Sequence, residues 1–112
     1  LSPIIGFSYS ETSDEEKLNY INKKSKIVYV ASVLNNSPAK LAGLSQNDVI
    51  LEINDQKITD INQCSDILVN ALNDYLKDNN KIIKIKVFHF DKDKNKLINW
   101  EERLIKLKPA LR

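Results

Sequence analysis

SPAKLAGLSQNDVILEIN, residues 37–54, reads as a complete structural unit. Ser37 can cap a helix whose first turn holds Pro38, where a missing N–H costs nothing. The helix is expected to last about one and a half turns, because Gly43 supplies the left-handed conformation that ends it and Leu44 then folds back as an apolar anchor. A strand follows. Val49, Leu51 and Ile53 fall on one face at period two, Ile50 adds apolar surface on the other, and Asn54-Asp55 signals a turn before Gln56-Lys57-Ile58.

The 112 residues suit one compact domain, and 42% apolar against 29% charged residues is the balance of a chain that folds. A net charge of +2 with interleaved acids argues against nucleic acid and against an anionic membrane surface as partners; the charged runs read as solvated faces. Cys64 is the only cysteine, so neither an intrachain disulfide nor a cysteine-based zinc site can form. It reads as a small core-facing residue, since no histidine or basic cluster stands beside it to activate the thiol. No apolar run approaches the roughly 18 residues of a membrane span, and no signal-peptide pattern is present. The opening Leu-Ser-Pro, without Met, suggests a fragment of a longer protein, so the compartment stays open.

Only two glycines occur, Gly6 and Gly43, where a chain of this size would carry about eight. A sequence so sparing with glycine keeps it where a side chain is not allowed. Gly6 sits in Pro3-Ile4-Ile5-Gly6-Phe7, an apolar clasp ahead of the alternating stretch Ser8-Tyr9-Ser10-Glu11, which reads as a loop entering a strand. Residues 12–26 are polar, an excursion with one helical turn expected from Ser13, whose Glu16 completes a capping-box pattern. Ile27 to Leu34 is a β-branched strand. Beyond Ile58, Thr59 or Asp60 can cap a long helix with Ile61, Cys64, Leu68, Ala71, Leu72 and Tyr75 along one stripe, ending at Asp78-Asn79-Asn80. Lys81 to Phe90 alternates as a strand with one wet face, and Leu97 to Leu107 reads as its hairpin partner.

This order of elements resembles a PDZ domain over essentially the whole chain. The Ser-Pro-Ala, Ala-Gly-Leu, Asp-Val-Ile and Ile-Asn elements between Val30 and Asn54 are most similar to the PDZ domains of bacterial-type HtrA and carboxyl-terminal processing proteases. Asn47 and Asp55 stand where the family usually has glycine, and both residue types accept left-handed backbone. The resemblance implies an α+β, mainly β fold: a partly open antiparallel barrel or sandwich of five to six strands, capped by one short and one long helix. It also implies a protein-interaction module that takes up a protein C-terminus, or an extended segment, as an added strand. Ile5, Gly6 and Phe7 match the loop that holds the terminal carboxylate, and an apolar last ligand residue is expected. Ser8, Tyr9 and Ser10 would supply the pairing edge through main-chain groups, and Ile61, Ser65 and Leu68 the opposite wall. The positive residue that often assists carboxylate binding is not evident in residues 1–3. A side chain at Gly6 is expected to close the clasp while sparing the fold.

The parent is expected to be a protease that uses the domain to select or sense substrates, or else a non-catalytic scaffold or tethering protein. A calcium-binding alternative rests on residues 91–102, DKDKNKLINWEE, which match an EF-hand loop at its oxygen ligands and final glutamate. Lys96 occupies the position that needs glycine, and the preceding segment alternates like a strand, so an ordinary hairpin turn is the preferred reading. No metal or cofactor is therefore expected. His89, the only histidine, reads as a satisfied or edge residue, and no nucleophile-elbow, His-Glu helix or phosphate-loop motif occurs, so no catalytic residue is assigned.

Overall fold

The computed structural model describes residues 1–21, 26–93 and 96–112. Among the described residues eight strands and three helices follow one another as β1 (Pro3–Ile4), β2 (Phe7–Thr12), α1 (Glu15–Tyr20), β3 (Ile27–Val33), α2 (Pro38–Ala42), β4 (Val49–Ile53), β5 (Gln56–Lys57), α3 (Ile61–Lys77), β6 (Ile83–Asp93), β7 (Lys96–Leu107) and β8 (Ala110–Leu111). The main antiparallel sheet runs β2-β3-β4-β6-β7, with β5 hooked onto β4, and the short β1–β8 pair forms a second sheet. β2 and β7 remain open edges, so the architecture is mainly β and a partly open sandwich. No helix of the described residues is long and apolar enough to cross a membrane.

The local chemistry of residues 37–54 is as the sequence dictates. Ser37 Oγ accepts the Lys40 N–H at 3.2 Å, Pro38 opens α2, and Gly43 ends it at φ +94°. Asn47, Asn54 and Asp55 all adopt positive φ, the last two making the tight β4–β5 turn. One expectation fails. Ile50 and Ile53 both enter the main core, whereas Val49 and Leu51 pack on the other side of the sheet. The register of β4 against β6 slips between Ile50 and Glu52, so Leu51 is an extra residue that reverses the parity of everything after it.

The main core joins Val30, Ile50, Ile85 and Val87 of the sheet to Cys64, Ile67, Leu68 and Ala71 of α3, with Leu44 sealing the end of α2. Asp60 caps α3 by accepting the Gln63 N–H at 2.8 Å. The excursion after β2 does fold into a helix, but Asp14 caps it in place of Ser13, accepting the Lys17 N–H at 3.2 Å. Leu18 of α1 meets Ile27 and Val49 on the reverse face of the sheet, where Phe88 and Phe90 also pack. The Lys17 ammonium lies 5.9 Å from the Tyr29 ring centre and 5.5 Å from that of Phe90, a cation–π pinning of α1.

The two glycines serve different ends. A Cβ on Gly43 would meet no heavy atom within 4 Å, whereas one on Gly6, itself at φ +88°, would lie 2.1 Å from Ser37 Cβ. Urea unfolding is expected to show Gly43→Ala costing about 1–2 kcal/mol, the left-handed backbone strain alone, and Gly6→Ala costing at least 3 kcal/mol more or failing to fold. Equal costs would mean that Ser37 can withdraw.

Candidate functional site

Ile5 and Gly6 form the junction between β1 and β2, Phe7 opens β2, and the carbonyls of Ile5 and Gly6 are turned inward. The Gly6 C=O accepts the Leu34 N–H at 2.8 Å and the Ser37 hydroxyl at 3.4 Å, while the Ile5 C=O accepts the Ala39 N–H of α2 at 2.8 Å. Among the described residues the N–H groups of Ile5 and Gly6 have no acceptor. The loop therefore shows its donors outward and hides its acceptors, an arrangement suited to an anion. Because Gly6 is seated on Ser37, a side chain there would strike the scaffold itself, so the expectation that a bulky Gly6 spares the fold is corrected.

The open edge of β2 follows from the same bonds. With the Leu34 N–H on the Gly6 carbonyl, Phe7 and Val33 are a non-hydrogen-bonded pair, so the N–H and C=O of Phe7 point away from β3. Alternation along β2 gives Tyr9 and Glu11 the same outward direction, whereas Ser8 and Ser10 turn their main-chain groups toward β3. Of the three residues expected at the pairing edge, Tyr9 alone offers main-chain groups to it, and Phe7 and Glu11 supply the rest. The Ser8 hydroxyl meets that of Ser32 at 2.6 Å on the exposed face.

α3 runs beside this edge, and two side-chain links tie it there. Tyr9 Oη lies 2.8 Å from Ser65 Oγ, and Glu11 Oε1 accepts the Ile61 N–H at 3.2 Å. The Ser65 hydroxyl also reaches the Ile61 carbonyl at 3.1 Å. Since a carbonyl only accepts, Ser65 donates to Ile61 and Tyr9 donates to Ser65. Ile61 and Ser65 are half-buried on the side facing β2, and Leu68 is buried beneath them. Leu72, one turn further along, is half-buried against the same core and belongs with this wall. Its place at the i+4 position from Leu68 was visible in the helical stripe.

Residues 3–73, more than half of the chain, match the family model described as PDZ domain. This chain belongs to the PDZ family. Over 97% of its length it superposes on 86% of a crystallised HtrA3 PDZ domain, with a TM-score of 0.60 and 20% identity; that domain was bound to a phage-derived ligand, FGRWV. PDZ domains are non-catalytic interaction modules that bind peptide C-termini. At this identity the HtrA3 likeness establishes the fold.

The remaining chemistry-bearing residues of this PDZ domain lie away from the β2–α3 groove. His89 is held between two carboxylates, Nδ1 at 2.6 Å from Asp48 Oδ1 and Nε2 at 2.9 Å from Asp91 Oδ1. Asp48 also accepts the Ser45 N–H at 3.0 Å, which fastens the loop between α2 and β4 to β6. In the stretch read as a possible calcium loop, residues 91–93 and 96–102 run in the paired strands β6 and β7, and Asp91 is engaged by His89. Residues 94 and 95, and the side chains from 92 to 100, lie outside the described set.

Burial pushes the Cys64 thiol up to about 12. Its modification by a thiol reagent near neutral pH should therefore proceed only through opening of the core, and the labelling rate should rise with urea in step with unfolding; rapid labelling of the native domain would contradict this placement. Burial also raises the Asp48 carboxyl above its ordinary range, against the lowering pull of the Ser45 N–H and of His89. A carboxyl so raised favours the folded state most below its unfolded pKa, and that contribution is lost as pH climbs through the folded value. Compared by urea denaturation from about pH 3 to about pH 6, Asp48→Asn should gain stability relative to the parent as pH rises; a relative loss over that range would reverse the assignment.

Proposed function

We propose that this domain binds the C-terminal tail, or an extended segment, of a partner protein in the β2–α3 groove, as an added strand on β2. The observation that carries this reading is the coincidence of an open strand edge with two outward N–H groups at its start. A peptide strand alongside β2 would exchange main-chain hydrogen bonds with Phe7, Tyr9 and Glu11, and its terminal carboxylate would sit over the N–H groups of Ile5 and Gly6. Ile5, Phe7, Leu68 and Leu72 would surround the last side chain, which favours an apolar residue there. The HtrA3 domain's ligand, ending in valine, is consistent with that preference. Ser8 and Ser10 would face β3 with their backbone and take part only indirectly, while Tyr9, Ile61 and Ser65 would form the floor and wall of the groove.

We further propose that the domain serves a longer protein, as the substrate-selecting or regulatory unit of a protease. The likeness to an HtrA domain supports this over a free-standing scaffold or tether.

The test is titration with peptides ending in valine, carrying either a free or an amidated C-terminus and followed by amide chemical shifts. The free form should bind roughly tenfold or more tightly than the amide, through charge-assisted bonds to the clasp. Its shifts should centre on Ile5, Gly6, Phe7 and Tyr9. Equal affinity of the two forms, or shifts that leave these residues untouched, would refute the clasp.

A further inference from the structure

On the far side of the clasp, a cleft of about 350 Å³ opens between α2 and the C-terminal strands. Pro38, Leu41 and Ala42 form one wall; Lys106, Lys108 and Arg112 lie on the other, and no acidic residue among the described ones lines it. Its volume is that of a site for a small ligand or for one or two side chains. Leu41 at its mouth is 83% exposed, a large apolar side chain left in water on a helix of five residues. Neither Lys106 nor Lys108 makes an ion pair among the described residues, although Lys84 and Lys86 on β6 and Arg103 on β7 each have a carboxylate partner. Arg112 is oriented by a 3.0 Å bond to the Asn36 carbonyl.

We propose that this cleft is a second binding site, for a partner segment in which an apolar side chain is flanked by carboxylates. The combination decides the chemistry. An apolar wall of proline, leucine and alanine rewards burial of one hydrophobic anchor, and the three cations at the rim reward negative charge on either side of it. A purely apolar segment would leave the lysines unanswered, and a purely acidic one would leave Leu41 in water. The site is separate from the β2–α3 groove and does not require a free carboxylate terminus.

The probe is the hexapeptide Glu-Glu-Leu-Phe-Glu-Glu, acetylated and amidated so that the clasp has no terminal carboxylate to hold. Amide shifts are expected at Leu41, Ala42, Lys106 and Ala110. Affinity should fall severalfold between about 50 and about 300 mM NaCl. It should fall roughly tenfold or more in Lys106→Glu/Lys108→Glu and likewise in Leu41→Asp. These side chains are exposed, so an unchanged spectrum elsewhere verifies that the variants fold. The proposal is overturned if the peptide causes no shifts, if its shifts fall on the β2–α3 groove, or if the analogue Gln-Gln-Leu-Phe-Gln-Gln binds as well. It is equally overturned if the charge-reversed variant retains affinity, or if phosphatidylserine vesicles sediment the protein while the peptide does not bind, which would make the cleft a membrane contact.

Discussion

Gly6 rests on Ser37 so closely that not one additional carbon fits between them, and most of the arrangement around the clasp depends on that contact. It brings the β1–β2 junction down onto the first turn of α2. There the Ala39 N–H, a donor that a helix start leaves over, finds the Ile5 carbonyl, and the Ser37 hydroxyl spans from the Leu34 carbonyl at 2.7 Å toward that of Gly6. With the carbonyls drawn inward, the adjoining N–H groups must look outward. The donor surface of the clasp is thus a by-product of how a helix cap is satisfied. Ser37 serves the helix and the loop with one oxygen, which explains why so small a residue is buried at that point.

From there the geometry propagates along β2. The bond between Gly6 and Leu34 fixes which residues face β3 and which face the open edge, and the Tyr9–Ser65 and Glu11–Ile61 links hold α3 at its distance from that edge. The groove is thereby defined by three polar contacts on an apolar base. On the reverse side, α1 and its Leu18 cover Ile27 and Val49, so the central strands are buried on both faces. A central sheet covered in this way resists bending, and a rigid β2 is a better template for pairing than a flexible one.

Much of this was legible in the residues themselves. The cap, proline and glycine around α2 are local signals, and the left-handed positions at Asn47 and Asp55 follow from the tolerance of those side chains. The scarcity of glycine pointed to Gly6, and the structure supplies a reason in its contact with Ser37. What could not be read depends on partners distant in the chain. A bulge at Leu51 is set by register against β6, so strict alternation misassigned Ile53 relative to Val49. The pairing of Tyr9 with Ser65 joins residues 56 positions apart and leaves no pattern in either segment. The cleft beneath Leu41 becomes evident only once helix and strands are placed side by side.

Among the described residues, four other than glycine hold positive φ angles: Asn36, Asn47, Asn54 and Asp55. Glycine would adopt each conformation with less strain, yet it would also give the unfolded chain many more conformations to occupy. Using asparagine and aspartate at these turns moves part of the balance into the denatured ensemble, which starts with less entropy to lose. The two glycines that remain thus add little to the disorder of the unfolded chain, and the tight corners of the fold are made from residues that restrict it before folding begins.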